Sequence, residues 1–326
     1  MKKYKYLFGP VSSRRLGQSL GVDLVPFKTC SLNCVYCECG LTTNLTAKQA
    51  EYVPTKDVLA ELDDLLSTNP NLDFITFSGN GEPTLHNGFL EIAAYIKSNY
   101  PQYKVCLITN STLMADESFT ARLLNNGHSC IDVIMPSLDA ITQDVYEKID
   151  QPEATVKANE VTAALEHFSQ QFDGKIWLEI FILPGVNDTD DELQQFEKVL
   201  KNMRVDKVLL NCLDRPAPYD WVKAATSEQM QRVKLFFTSC GIESEIIGKV
   251  TTAVANEIVA DPKATIIELI SRRPSTVEDL IQATGKTAPE VKSILDKLGI
   301  DHALEVTTEA RGNFYRLIKK NQNDKN

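Results

Sequence analysis

Short apolar runs alternate with amphipathic helical stretches along most of this chain, and that alternation restricts the fold more than any other feature. Strands are expected at Gly21–Pro26, Phe74–Ser78, Val105–Thr109, Ile131–Met135, Ile176–Leu183, Lys207–Asn211 and Ser244–Ile247. Between them, helices are expected at Thr55–Leu66, Gly88–Ser98, Asp116–Asn126, Gln143–Ile149, Ala158–Gln171, Asp190–Lys201 and Ser227–Ser239. In the first helix Val58, Leu59, Leu62, Leu65 and Leu66 recur on one face, as a helical period requires. Strands alternating with helices at this spacing make parallel β/α units. Six or so units predict an α/β fold: a partial (β/α)6 TIM-like barrel rather than a short doubly wound sheet.

The pattern changes near residue 250. Residues 1–250 are assigned to the barrel, 251–261 to a linker, 262–320 to a small second domain and 321–326 to a disordered tail. In the second domain a helix at Thr265–Ser271 is followed by one capped by Thr276 and stopped by Gly285. A third, Ala288–Leu298, has Pro289 in its first turn and Gly299 at its close. Leu304–Thr307 and Phe314–Ile318 then pair across the segment from Ala310 to Asn313. Three helices and a hairpin in that order predict a winged helix-turn-helix. From Pro262 onward there are 11 Lys and Arg against 9 Asp and Glu. The third helix mixes Lys292 and Lys297 with Glu290 and Asp296, a poor face for reading DNA. Arg311, Asn313 and Arg316 on the wing leave RNA or DNA contact open, with substrate or protein docking favoured.

The chain of 326 residues carries a net charge of −10, so bulk electrostatics do not favour nucleic acid. Neither a signal peptide nor a membrane-length apolar run is visible, which predicts a cytoplasmic protein without a membrane partner. In a reducing compartment its eight cysteines are buried small hydrophobes or metal ligands rather than disulfides.

Three of them, Cys30, Cys34 and Cys37, fall at C-x3-C-x2-C spacing on one loop directly after the first expected strand. Three thiolates on a cubane leave one iron without a protein ligand, free to take a small chelate. Soft sulfur ligands select iron–sulfur or zinc over hard cations. Cys39 keeps a four-cysteine zinc clip open as an alternative, and inert cysteines are a third reading. Cys106 and Cys130 read as core, Cys212 as core or substrate-facing, and His86 as structural.

With its aromatic Tyr36, this loop resembles the signature of the radical S-adenosylmethionine superfamily. Further segments resemble it in order, each at the end of an expected strand. Gly79-Asn80-Gly81-Glu82-Pro83 is similar to the superfamily's Gly-Gly-Glu-Pro, with Asn80 inserted between the glycines. Thr109-Asn110 ends the third strand, and Ser137-Leu138-Asp139 resembles a Ser-Leu-Asp turn whose serine meets ribose. Pro184-Gly185-Val186-Asn187-Asp188 resembles a segment of molybdenum cofactor biosynthesis protein A. In a parallel barrel that end carries the active site.

The resemblance implies a 4Fe–4S cluster on Cys30, Cys34 and Cys37 that reductively cleaves S-adenosylmethionine. The resulting 5′-deoxyadenosyl radical would abstract hydrogen from a substrate. It implies cofactor contacts from Tyr36, Gly79, Asn80, Gly81, Glu82, Thr109, Asn110, Ser137 and Asp139, and an electron donor such as flavodoxin or ferredoxin. Glu179 binds cofactor or substrate if it points inward and is a solvated charge if it points outward. The run Phe8–Gly17 and the segment Thr42–Thr46 resemble a subgroup holding wyosine tRNA-base-forming enzymes and uncharacterised iron–sulfur oxidoreductases. Arg14 and Arg15 there meet an anionic group or lie on the surface. The implied substrate is an RNA base, or a peptide, protein or small metabolite. A non-catalytic iron–sulfur DNA-binding regulator and a zinc-stapled binding protein are the readings from other classes.

Overall fold

The computed structural model describes residues 4–247, 261–301 and 304–318. Most of the 251–261 linker and the 321–326 tail lie outside them. Eight strands form one sheet: β1 (Leu7–Ser13), β2 (Gly17–Val22), β3 (Phe74–Phe77), β4 (Lys104–Thr109), β5 (Val133–Pro136), β6 (Lys175–Phe181), β7 (Lys207–Asn211) and β8 (Ser244–Ile246). Their order in the sheet follows the chain. Only β1 runs antiparallel to its neighbour, and every other pairing is parallel.

Helices α1 (Thr55–Leu66), α2 (Phe89–Asn99), α3 (Glu117–Arg122), α4 (Gln143–Ile149), α5 (Ala158–Gln171), α6 (Asp190–Leu200) and α7 (Ser227–Ser239) fill the connections. α1 buries Val58, Leu62 and Leu66, one residue per turn. Thr189 caps α6 by accepting from the Glu192 amide, and three acidic residues in its first turn face the positive end of the helix dipole. α7 opens with a capping box between Thr226 and Gln229. α3 stops early because the chain continues as a π-helical turn, Leu123–Gly127.

The first strand differs from expectation. It ends at Val22 rather than Pro26, and Leu7–Ser13 is an unforeseen strand beside it. Gly9-Pro10 is unfavourable within a strand, because proline cannot donate to a ladder. It is tolerated because β1 is an edge strand whose register shifts between Phe8 and Val11.

The sheet curls. β2 and β6 are four steps apart, about 19 Å if flat, yet Arg15, in the turn before β2, makes an ion pair with Glu179 on β6. Inside the curl Leu16, Phe74, Cys106, Val133, Met135 and Leu209 pack together. The other face meets the helices in the main core, which includes Leu62, Phe77, Phe89, Phe168, Phe196 and Phe237.

Beyond the gap follow α8 (Pro262–Arg272), β9 (Ser275–Thr276), α9 (Val277–Thr284), α10 (Ala288–Asp301), β10 (Leu304–Glu309) and β11 (Gly312–Leu317). The three strands form an antiparallel sheet in the order β9-β11-β10. Ile266, Ile270, Leu280, Val291, Leu295 and Leu298 make a separate core. Thr276 and Gly285 cap α9 as the sequence suggests, Gly285 in the left-handed region at φ 66°. α10 runs past Gly299, the expected stop, to Asp301.

Candidate functional site

After Val22 the chain leaves the sheet and builds a loop on the C-terminal side of the strands. Thr29 and Cys30 pair with Asn44 and Leu45 at the neck of this loop. Its body is pinned to α4, since the amides of Asn33 and Val35 donate to the carbonyls of Asp150 and Ile149 at 2.9 Å. Thr42 closes it, donating to Asn33 Oδ1 and to the Leu32 carbonyl, both at 2.7 Å. Cys30, Cys34 and Cys37 are half-buried on this loop.

Two of their sulfurs face hydrogen-bond donors, while the Asp150 carboxylate accepts from the third, Cys34. Lys28 Nζ lies 3.0 Å from Cys37 Sγ and Asn110 Nδ2 lies 3.4 Å from Cys30 Sγ. A hydrogen bond from Cys39, aided against burial by Lys28, holds the Cys37 thiol below its ordinary value. Burial raises Cys30 and Cys34, and the nearby carboxylates of Glu82 and Asp150 respectively raise them further, as do neighbouring thiols. A buried ammonium and an amide directed at a cysteine trio suit an anionic sulfur-rich group. Among the described residues no three His, Cys, Asp or Glu side chains are grouped so that they could hold a metal ion as they stand. Cys39 turns its sulfur toward the Gly79 carbonyl.

The polar turns expected at the strand ends surround this loop. Gly79–Glu82 follows β3 and lies against the approach to Cys30, with Lys28 N donating to Asn80 O at 2.8 Å and Glu82 N to Thr29 O at 3.1 Å. Gly81 is required there, because a Cβ would sit 2.0 Å from the Thr29 carbonyl oxygen. Asn80 is turned away, its amide side chain donating to Asp23 Oδ2 at 2.7 Å.

The Glu82 carboxylate is buried and fully engaged. It accepts from Thr84 N and Oγ1, from Thr109 Oγ1 at 2.7 Å and from Asn110 N at 2.8 Å. Glu82 and Thr109 therefore tie the ends of β3 and β4 together, while Asn110 reaches Ser31 Oγ and the Cys30 sulfur. Asp139 is engaged as well: one carboxylate oxygen accepts from Phe181 N at 2.7 Å, the other from the Tyr36 hydroxyl. Tyr36 stacks on Phe181 with centroids 3.7 Å apart, nearly parallel. Burial raises both the Asp139 carboxyl and the Tyr36 phenol above their ordinary values.

Tyr36, Asn110, Ser137 and Asp139 nevertheless meet around one small cavity of about 20 Å3. Tyr146 and Asp150 of the α4 region complete its polar lining. The Tyr146 hydroxyl and Asp150 Oδ1 are buried without a hydrogen-bond partner. Such orphaned groups are costly unless something polar binds them.

Glu179 points inward, pairing with Arg15 and accepting from Asn211 Nδ2 at 3.3 Å. Of the other residues singled out, Cys106 and Cys130 are core and Cys212 is half-buried after β7. His86 is structural: one ring nitrogen meets the Val53 carbonyl and the other accepts from Gly88 N.

The sequence reading missed Lys28, Glu38, Tyr146 and Asp150. Lys28 and Glu38 had a local signal, as charged residues beside the cysteines, but no pattern that fixed their direction. Glu38 lies between Cys37 and Cys39 and pairs with Arg215 and Arg273. Burial opposes its charge, yet these arginines outweigh it and hold the carboxyl below its usual value.

Residues 24–196 match the family model described as the radical SAM superfamily. The chain is 34% identical to a protein named GTPase Obg from Brachyspira hyodysenteriae, over 91% of its own length. It spans only 43% of that relative. A UPF0026 protein of Helicobacter pylori strain J99 is 32% identical, covering 84% of this chain and 86% of that one. Among solved structures, a radical SAM methyltransferase from Sphaerobacter thermophilus superposes with a TM-score of 0.53 at 21% identity, covering 70% of this chain and 66% of that one. That likeness shows a shared mixed α/β fold with a parallel sheet. The chain therefore belongs to the radical SAM superfamily, whose members are enzymes that use a 4Fe–4S cluster and S-adenosylmethionine.

Proposed function

We propose that this chain cleaves S-adenosylmethionine reductively at a 4Fe–4S cluster held by Cys30, Cys34 and Cys37, and so starts hydrogen abstraction from a substrate. The observation that carries this is the loop chemistry: three cysteines on one pinned loop, with Lys28 and Asn110 donating to their sulfurs. The chemistry supplied there is one-electron cleavage of a sulfonium, with the electron drawn from an external donor such as flavodoxin or ferredoxin.

The chain's own residues bind and exclude water. Asn110, Ser137 and the Tyr36 ring line the cofactor side, and Tyr146 and Asp150 offer it unpaired polar atoms. Gly79, Asn80 and Gly81 bring backbone close to the cysteine loop. Glu82, Thr109 and Asp139 act from behind, fixing that backbone and Tyr36. Glu179 with Arg15 forms a polar layer inside the curled sheet.

On this reading residues 1–250 are a partial (β/α)6 barrel and 262–320 a winged-helix domain. The curl of the sheet and the order of helices, β9-β11-β10 sheet and hairpin support both assignments. The cytoplasmic placement rests on the sequence; among the described residues no helix is long and apolar enough to cross a membrane. The substrate read first is an RNA base, on the resemblance of the N-terminal run to tRNA-modifying enzymes. A peptide, protein or small metabolite is the alternative.

The test is anaerobic reconstitution. Wild-type protein should turn brown, absorb near 400 nm and yield 5′-deoxyadenosine with dithionite. Alanine at Cys30, Cys34 or Cys37 should abolish colour and product, and alanine at Cys39 should leave the iron content unchanged. Retained iron in the three loop variants would end the proposal. Nucleosides from a deletion strain decide the substrate, since an unchanged set removes the RNA reading.

A further inference from the structure

Two consecutive arginines at the end of α8 reach two different segments of the site. Arg272 Nη1 lies 3.0 Å from Asp23 Oδ2, and its guanidinium sits 4.3 Å from the centre of the Phe8 ring. The same Asp23 carboxylate accepts from the side chain of Asn80 at 2.7 Å and from its amide at 3.4 Å. Arg272 is thus one residue removed from the Gly79–Glu82 turn. Arg273 Nη1 lies 3.4 Å from Glu38 Oε2, an atom that Arg215 Nε also approaches at 3.2 Å. Glu38 separates Cys37 from Cys39, so Arg273 acts directly on the cysteine loop.

A third arginine supports the same loop. Arg316 of β11 donates to the Cys39 carbonyl at 3.1 Å, and its guanidinium lies 2.7 Å from where a Cβ on Gly40 would be. The C-terminal segment has a core of its own, and these links to the site are made by charged groups. The carboxylates in these links, Asp23 and Glu38, are mostly buried, so withdrawing an arginine leaves a charge at the site short of its partner.

We propose that Arg272 and Arg273 are positioning residues: docked, they hold the Asp23–Asn80 turn and the Glu38 cysteine loop in the geometry that binds S-adenosylmethionine. Docking of the C-terminal segment and occupancy of the site are then coupled, each strengthening the other. This role rests on the function proposed above. It explains why the arginines converge on the two segments expected to hold cluster and cofactor, and assigns the C-terminal segment to the site rather than to a separate task.

The test uses the full chain with both arginines changed to alanine, and a second variant with both changed to lysine. In metal-free protein, hydrogen exchange of residues 23–40 and 79–82 should be at least about threefold faster in the alanine variant. In cluster-loaded, dithionite-reduced protein, the S-adenosylmethionine concentration that half-converts the cluster's electron paramagnetic resonance signal should rise about tenfold, or about 1.4 kcal/mol. Lysine should restore most of both effects. Exchange and half-conversion both within twofold of wild type in the alanine variant would overturn the proposal. If alanine unfolds residues 262–301, seen as lost protection throughout them, the Glu38→Gln variant replaces it and must show the same two effects. A wild-type protein that takes up no iron sinks the proposed function, while the metal-free exchange result still decides the positioning role.

Discussion

Asp279 offers the sharpest energetic test of how the C-terminal segment is held. Its carboxylate accepts from Arg215 Nη1 and Arg311 Nη2, each at 2.7 Å, and from the Thr276 amide in the cap of α9. Burial works against its charge, but Arg215, the cap hydrogen bond and Arg311 overcome it and bring the carboxyl to about 2 from 3.8. At about 1.4 kcal/mol per pKa unit, that depression contributes roughly 2 kcal/mol of stability at neutral pH. The side chain is 17% exposed, so solvent screening removes little of this. Because the folded value lies below the unfolded one, the contribution is complete above about pH 5 and fades as pH falls toward 2, with about half left at pH 3. Asp279→Asn keeps the shape and removes the charge. Urea denaturation followed by circular dichroism should place the variant about 2 kcal/mol below wild type at pH 7 and about 1 kcal/mol below it at pH 3. Equal stabilities at pH 7, or a gap that does not narrow in acid, would refute the reasoning.

Other perturbations test the site's frame and the core. Gly81→Ala should cost about 3 kcal/mol, the upper end for overpacking, because its methyl would meet the Thr29 carbonyl at 2.0 Å; an unchanged melting temperature would contradict that contact. Glu192→Ala should cost about 2–3 kcal/mol, since its buried carboxylate accepts from the amides of Ile141 and Thr142 and from the Thr142 hydroxyl; denaturant titration reads the loss. Phe237→Ala should cost about 3–5 kcal/mol, because this fully buried ring packs edge-on to Phe196 at 6.3 Å; a loss below about 1 kcal/mol in the same titration would contradict its core position.

Much of the frame was legible because its signals are local. α1, α4, α5 and α7 span the stretches expected from apolar period and capping residues, and β7 spans its expected run. The misplaced elements have local reasons too. β1 was hidden by Gly9-Pro10, which an edge strand with a register shift accommodates. α10 passes through Gly299, a helix weakness of about 1 kcal/mol that the packing of Leu295 and Leu298, in the turn just before it, outweighs.

The site divides along the same line. The cysteine trio is visible as spacing because a loop this short must bring its own side chains near one another. The meeting of Tyr36 with Asp139, of Glu82 with Thr109 and of Arg15 with Glu179 is not visible that way. Those partners are brought together by strand pairing and by the curl of the sheet, and hydrophobic periodicity says which face a residue is on but not what lies opposite.

What the residues alone determined is therefore the alternation of strands and helices, the sulfur loop after the first parallel strand and the polar turns at the strand ends, all set by short-range stereochemistry and burial. What only the tertiary structure decided is where each charge is spent. Glu82 and Asp139 brace backbone and Tyr36, Glu179 is neutralised by Arg15, and Arg272 and Arg273 reach from α8 to the site. The physical reason is that a buried charge is stable only beside a partner, and partners 28 to 249 residues distant in sequence become neighbours only when the chain has folded.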